Sequence, residues 1–202
     1  MLLVGLTGGL GAGKSTVARM LAGHGAVIVD ADRLAREALE PGTRPFKEVC
    51  DLFGDQILAP TGEIDRRALA ETVFADEEKR RALESITHPE VFRKLAEIVE
   101  AHQETDAVVV FDAPLILETG FDEACDVLVV VTASEDQQVA RVVRERGMSE
   151  EEARARIASQ VDPVRRAARA DVVVRNDGGL PELERQVEEL WQRLRIQAAE
   201  PR

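Results

Sequence analysis

Short, almost continuously apolar runs recur along the chain: LLVGL at 2–6, AVIV at 26–29, AVVVF at 107–111, VLVVVT at 127–132 and VVV at 172–174. They do not alternate with polar residues, which is the pattern of strands covered on both faces. Stretches of helical period separate them. Residues 180–194 place Leu180, Leu183, Val187, Leu190 and Leu194 at steps of three and four with Glu and Arg between, which predicts an amphipathic helix laid on a sheet. Strand and helix in repeated alternation predict an α/β fold with a parallel sheet and right-handed crossovers.

The spacing is uneven. Almost eighty residues of helical character lie between Val29 and Ala107, more than one crossover helix can use, so an inserted helical subdomain is expected there. Inside it, Asp65 can cap a helix running from Arg66 to Phe74, and Thr87 can cap another with Pro89 in its first turn, where a missing N–H costs little. A second helical insert is expected between Val131 and Asp171.

Composition narrows the class. A chain of 202 residues, 45% apolar, suits one domain of ordinary size that buries roughly 70% of its unfolded surface. Aromatic residues make up 3% with no Tyr, so an aliphatic core is expected and a base-stacking surface for single strands is not. A net charge of −12 disfavours nucleic acid and anionic membrane as partners. Cys50 and Cys125 lack metal or redox spacing and fit core positions in a reducing compartment, the cytoplasm. No leader pattern opens the chain, and no apolar run approaches the ~20 residues of a membrane span. No obligatory protein partner is evident.

The chemistry starts after the first strand. Gly8-Gly9-Leu10-Gly11-Ala12-Gly13-Lys14-Ser15 fits G-x-x-x-x-G-K-[ST] at every fixed position and opens a predicted helix, Ser15 through Ala22. In that strand–loop–helix context the glycines bring backbone N–H groups against phosphate oxygens and the helix N-terminus adds positive charge. Gly11, Ala12, Gly13, Lys14, Ser15 and Thr16 are therefore candidate ligands of a nucleoside triphosphate. Lys14 is the mobile cation for its β- and γ-phosphates, and Ser15 the expected Mg²⁺ ligand.

Further candidates end later strands. Asp112 closes Val109-Val110-Phe111-Asp112 and can organise Mg²⁺ or make a turn. Asp30 and Asp32 follow the second strand. In extended geometry they can face one side together, with Asp32 as the base that accepts a hydroxyl proton and Asp30 in a positioning or capping role. Asn176, in Arg175-Asn176-Asp177-Gly178-Gly179, can line an adenine pocket or form a plain turn. No N-K-x-D guanine motif is present. Residues 141–175 hold nine arginines against six acids, a local positive excess that suits a lid over phosphates, although i,i+4 pairs on solvated helix faces account for several of them.

Taken together, GLTGGLGAGKSTVA at 5–18, VDAD at 29–32, ITHPEV at 86–91, APLILE at 113–118, SEEEARARIASQ at 149–160 and ADVVVRNDGG at 170–179 resemble the dephospho-coenzyme A kinases, in the same order and over nearly the whole chain. The resemblance implies the P-loop NTPase three-layer fold: a five-stranded parallel core with helices on both faces, built from 1–30, 106–140 and 170–202. It also implies a helical acceptor-binding insert at 31–105 and a lid at 141–169. ATP-dependent phosphorylation of the ribose 3′-hydroxyl of dephospho-coenzyme A is the implied reaction, with Mg²⁺. Asp32 matches the proposed catalytic position, with Lys14 and Arg141 beside it in the reaction. Leu115 and Glu118 fall on the acceptor side, Arg141 and Arg156 in the lid, and Asn176 in the adenine loop; His88 either stands next to the acceptor-binding insert or is a buried histidine bonded within its helix start. In Arg144-Glu145-Arg146 the family's arginine aligns with Glu145, so Arg144 or Arg146 takes over its contact. Other nucleoside or small-molecule kinases of the same architecture are the nearest alternative, and a slowly hydrolysing switch protein a more distant one.

Overall fold

The computed structural model describes residues 1–74 and 76–200. Residue 75, in the expected helical insert, and residues 201 and 202, at the end of the expected core segment, lie outside the described residues. Five strands form one sheet in the order β2-β3-β1-β4-β5: β1 (Leu2–Gly8), β2 (Val27–Asp30), β3 (Val108–Asp112), β4 (Val127–Thr132) and β5 (Val172–Arg175). The central strand β1 pairs in parallel with β3 on one side and β4 on the other, and β4 pairs in parallel with β5. All of β1 and β3 is buried, as non-alternating apolar runs require.

The chain divides into two compact units, Met1–Val29 with Ala101–Arg202, and Asp30–Glu100. In the first, α1 (Lys14–His24) and α9 (Leu180–Ala199) lie on one face of the sheet. Leu2, Val4 and Leu6 of β1 and Val127, Val129 and Val131 of β4 form one core there with Val17, Leu21, Leu183, Val187, Leu190, Trp191 and Leu194. Three further helices of this unit are α6 (Glu135–Arg146), α7 (Glu150–Ala158) and α8 (Pro163–Arg169).

The second unit holds α2 (Ala31–Ala38), α3 (Arg44–Phe53), α4 (Arg66–Phe74) and most of α5 (Glu77–His102). Its own small core joins Val49, Phe53, Ile57 and Leu69, with Leu39, Ile64, Val73, Leu83 and Ile86 packed against it. Asp65 caps α4 as expected, accepting from Arg67 N at 2.9 Å and Ala68 N at 3.1 Å.

Thr87 does not cap a helix. It lies within α5, which runs through Pro89 without interruption. Its hydroxyl donates back to the Leu83 carbonyl at 3.1 Å, a bond that only an established preceding turn supplies. A proline inside a helix removes one ladder bond. Here burial of Thr87, Val91 and Leu95 along one side outweighs that loss.

Candidate active site

The phosphate loop is shaped by what surrounds it. Gly11 and Gly13 adopt φ of 74° and 98°, a region that penalises a β-carbon. Space forbids one as well: on Gly11 it would stand 2.6 Å from the Gln138 carbonyl oxygen, and on Gly13 2.1 Å from Asn176 Nδ2. Thr16 N and Val17 N bond the Gly13 carbonyl at 3.0 and 3.2 Å, starting α1. No side chain caps α1, and its first turn holds no acid. The N–H groups and dipole of that turn are thus directed at whatever anion enters the loop.

Lys14, the first residue of α1, forms an ion pair with Asp112 Oδ1. The register that sets Leu6 of β1 opposite Asp112 of β3 brings these residues together across 98 positions of sequence. Both side chains are largely buried, 16% and 7% exposed. The two charges thus compensate each other in a setting where water does so only weakly.

No group of three or more His, Cys, Asp or Glu side chains suited to a metal occurs among the described residues. Ser15 is exposed at the start of α1, and Asp112 is the carboxylate nearest in role. One hydroxyl and one carboxylate fit a cation that brings phosphate oxygens and water as its other ligands, as Mg²⁺ does, and do not make a protein cage.

Arg141 of α6 braces the loop from behind. Its Nη1 donates to the carbonyls of Gly11 and Ala12, both at 3.3 Å, and its Nη2 to the Asn176 carbonyl at 2.7 Å and Oδ1 at 3.3 Å. Asn176, 8% exposed, donates from Nδ2 to the Ala12 carbonyl at 2.8 Å. Both residues thus grip the backbone of the loop through carbonyls; of its N–H groups, Leu10 N and Ala12 N are taken by Gln160 and the Gly9 carbonyl.

The remaining lid arginines are held differently. Arg144 bonds Glu145 at 2.9 Å with 72% of its side chain exposed, and Arg146 is exposed. Arg156 bonds Glu152 at 2.9 Å. Arg154 of α7 reaches Glu135 and Asp136 of α6 at 2.7 and 3.3 Å and pairs with Glu150 of its own helix at 3.0 Å. Apolar packing links this segment to the loop, since Leu10 sits against the cluster of Val139, Val142 and Ala153.

Besides Gln138, which lies against Gly9 and Gly11, two loop neighbours were absent from the candidates drawn from sequence. Gln160 accepts from Leu10 N at 2.8 Å, and Arg166 of α8, 4% exposed, lies over Gly9. Gln160 ends the SEEEARARIASQ run, so a signal existed. Arg166 is one of nine arginines in its segment, and nothing local marks the one that is buried.

After β3, the turn bearing Leu115 and Glu118 is tied to β1 by the Thr7 hydroxyl, which donates to the Pro114 carbonyl at 3.1 Å. Ile116 is buried at 1% while Leu115 is 41% exposed, so the turn is anchored by one apolar residue and presents another. Glu118 is exposed.

In the second unit, Asp30 and Asp32 do not alternate along an extended strand as expected. Asp30 ends β2 and caps α2, accepting from Arg33 N at 2.9 Å. Asp32 is already in the first helical turn. The cap wins because an Asp at that position satisfies a helix N–H that is otherwise orphaned. Asp32 is exposed and its carboxylate accepts no hydrogen bond among the described residues. His88 lies mid-helix in α5, half-buried, with its ring edge-on to Phe92 at 6.1 Å.

A family model described as dephospho-CoA kinase matches residues 2–182. The chain belongs to the dephospho-CoA kinase family. It is 49% identical over 201 residues to a dephospho-CoA kinase of Streptomyces avermitilis, covering 100% of this chain and 98% of that one. A dephospho-CoA kinase of Thermobifida fusca is 47% identical, with 96% of each chain covered. A Thermus thermophilus protein of known structure superposes with a TM-score of 0.82 at 36% identity, over 96% of this chain and 97% of that one. Shikimate kinase from Acinetobacter baumannii, at 16% identity and a TM-score of 0.56, shares the fold alone. The chain is thus a kinase of the P-loop fold that phosphorylates dephospho-CoA to CoA with ATP as its other substrate. Among the described residues no helix is long and apolar enough to cross a membrane.

Proposed function

We propose that this kinase transfers the γ-phosphoryl group of ATP to the ribose 3′-hydroxyl of dephospho-coenzyme A at the phosphate loop, with Asp32 as the base. The observation that carries this is the uncapped, acid-free start of α1 behind a loop whose carbonyls are occupied by Arg141 and Asn176. Such a loop turns its donors toward an anion.

The N–H groups of the loop between Gly11 and Thr16 that no carbonyl takes hold the phosphates of ATP, and Lys14 places its charge on the β- and γ-phosphates. Ser15, with Asp112 behind it, would hold Mg²⁺, which would supply positive charge against the phosphates. Asp32 accepts the hydroxyl proton as the bond from the 3′-oxygen to the γ-phosphorus forms. The bond from that phosphorus to the β,γ-bridging oxygen breaks, and ADP leaves with the electron pair. Asp30, by capping α2, fixes the helical turn that carries Asp32.

Arg141 keeps the loop in its receptive shape, while Arg144 and Arg156 serve as lid cations toward ATP. Asn176 faces the adenine side, and His88, Leu115 and Glu118 serve the acceptor. We assign residues 31–105 to acceptor binding and 141–169 to the lid. The enzyme acts in the cytoplasm without an obligatory protein partner. Positioning and electrostatics supply most of the rate enhancement.

The test is Asp32→Asn. General-base catalysis contributes about 10²–10⁴-fold, so kcat should fall by that order while the KM for ATP stays near that of the parent enzyme. An unchanged kcat, or loss traced wholly to unfolding, would refute the assignment of the base.

A further inference from the structure

Arg166 is buried to 4% exposure, yet it has no ion pair among the described residues. Its Nε is buried without a hydrogen-bond partner. A charge in that condition is expensive unless something of opposite sign joins it. The nearest compensation is the exposed carboxylate of Glu118, which acts only through space, and burial weakens the hold of Arg166 on its proton more than Glu118 strengthens it.

The guanidinium also has a definite aim. A β-carbon on Gly9 would stand 3.1 Å from Arg166 Nη1, 3.1 Å from Gln138 Nε2 and 3.4 Å from Gln160 Oε1. A cation and two amides therefore converge on the bare backbone at the strand end of the phosphate loop. The short helix carrying Arg166 is fixed there: Asp162 caps it through Val164 N at 2.7 Å, with Pro163 in its first turn. The helix end of the loop, from Gly11 to Thr16, serves the phosphates nearer the nucleoside, and Lys14 reaches outward from them. The Gly9 end lies beyond, where the last phosphate of a triphosphate arrives.

We propose that Arg166 is the cation that receives the terminal phosphate of ATP, binding it through its guanidinium fork beside Gly9. Gln160 and Gln138 stand beside that fork at Gly9. The residue thereby distinguishes a nucleoside triphosphate from a diphosphate: ATP compensates the buried charge, and ADP, lacking the third phosphate, leaves it uncompensated. The site thus favours entry of ATP and loosens its grip once the phosphoryl group has left. This inference rests on the proposed kinase reaction at the loop and names one further catalytic residue for it.

The test compares ATP and ADP binding by calorimetry in the parent enzyme, Arg166→Met and Arg166→Lys, alongside the melting temperature without nucleotide. Hydrogen bonds to charged groups contribute about 1.5–3 kcal/mol, so Arg166→Met should bind ATP about 10- to 100-fold more weakly. Its ADP affinity should stay within about twofold of the parent, and its nucleotide-free melting temperature should hold or rise, since an unpaired buried charge is gone. Arg166→Lys, which keeps the charge without the fork, should fall between the two, and it carries the test should Arg166→Met not fold. Equal losses for ATP and ADP would make Arg166 a structural prop of the loop and overturn the proposal, as would unchanged ATP affinity. A parent enzyme that releases ADP only with dephospho-CoA, while Arg166→Met keeps its preference for ATP, would sink this inference and leave the kinase assignment standing. A parent enzyme that binds neither nucleotide would sink both.

Discussion

A β-carbon on Gly13 would overlap the Asn176 amide nitrogen, 2.1 Å away, in a backbone conformation that side chains rarely adopt. Gly13→Ala should therefore destabilise the protein by about 2 kcal/mol or more and displace Asn176 from the Ala12 carbonyl, with ATP affinity lost in the same variant; denaturant melts and nucleotide titration measure the two effects. Lys14 carries a sharper expectation because it is both a phosphate cation and half of a buried pair. Lys14→Ala should abolish turnover and, by removing one half of a largely buried ion pair, lower stability as well. Replacing both, Lys14→Ala with Asp112→Asn, should recover much of the stability and none of the turnover. Equal stability of the single and double variants would show that the pair contributes little. Lys14 was legible in the sequence because the loop motif is local. Its partner was not: Asp112 suggested a metal or turn role, and only the register of β3 on β1 reveals the ion pair. Arg166 was harder still, since burial of one arginine among nine depends on how a short helix packs.

At the scale of elements, apolar runs that do not alternate were enough to locate the strands, each within a residue or two of its observed bounds, because burial on both faces leaves little choice of residue. Caps were legible where one side chain decides the matter. Asp65 bonds two N–H groups at the start of α4, and Asp65→Ala should cost about 1 kcal/mol, read as a lower urea midpoint with an unchanged slope. Helix α5 misled for a physical reason. Thr-His-Pro has the composition of a helix start, yet Thr87, Val91 and Leu95 are buried along one side of a helix already under way, and tertiary burial outweighs a proline's local preference. Asp30 and Asp32 misled similarly. Two acids at i and i+2 look alike in sequence, but capping makes one the last residue of a strand and the other a helical residue. The result is a division of labour that the extended pattern did not suggest.

For the molecule as a whole, a net charge of −12 coexists with an anionic substrate because the positive groups that matter are placed rather than numerous. Half of the eight arginines between 141 and 169, namely Arg144, Arg154, Arg156 and Arg169, spend their charge on acids. Lys14, the start of α1 and Arg166 concentrate positive potential at the loop. Global charge therefore says what the protein avoids, and the loop says what it binds. The central claim is that this loop hands a phosphoryl group to dephospho-CoA. ADP release, coupled to a spectroscopic readout and followed with and without dephospho-CoA, tests it most directly. The account predicts ADP formation that depends on the acceptor, with one CoA formed for each ADP. ADP formed at the same rate without the acceptor, or with no CoA produced, would contradict it.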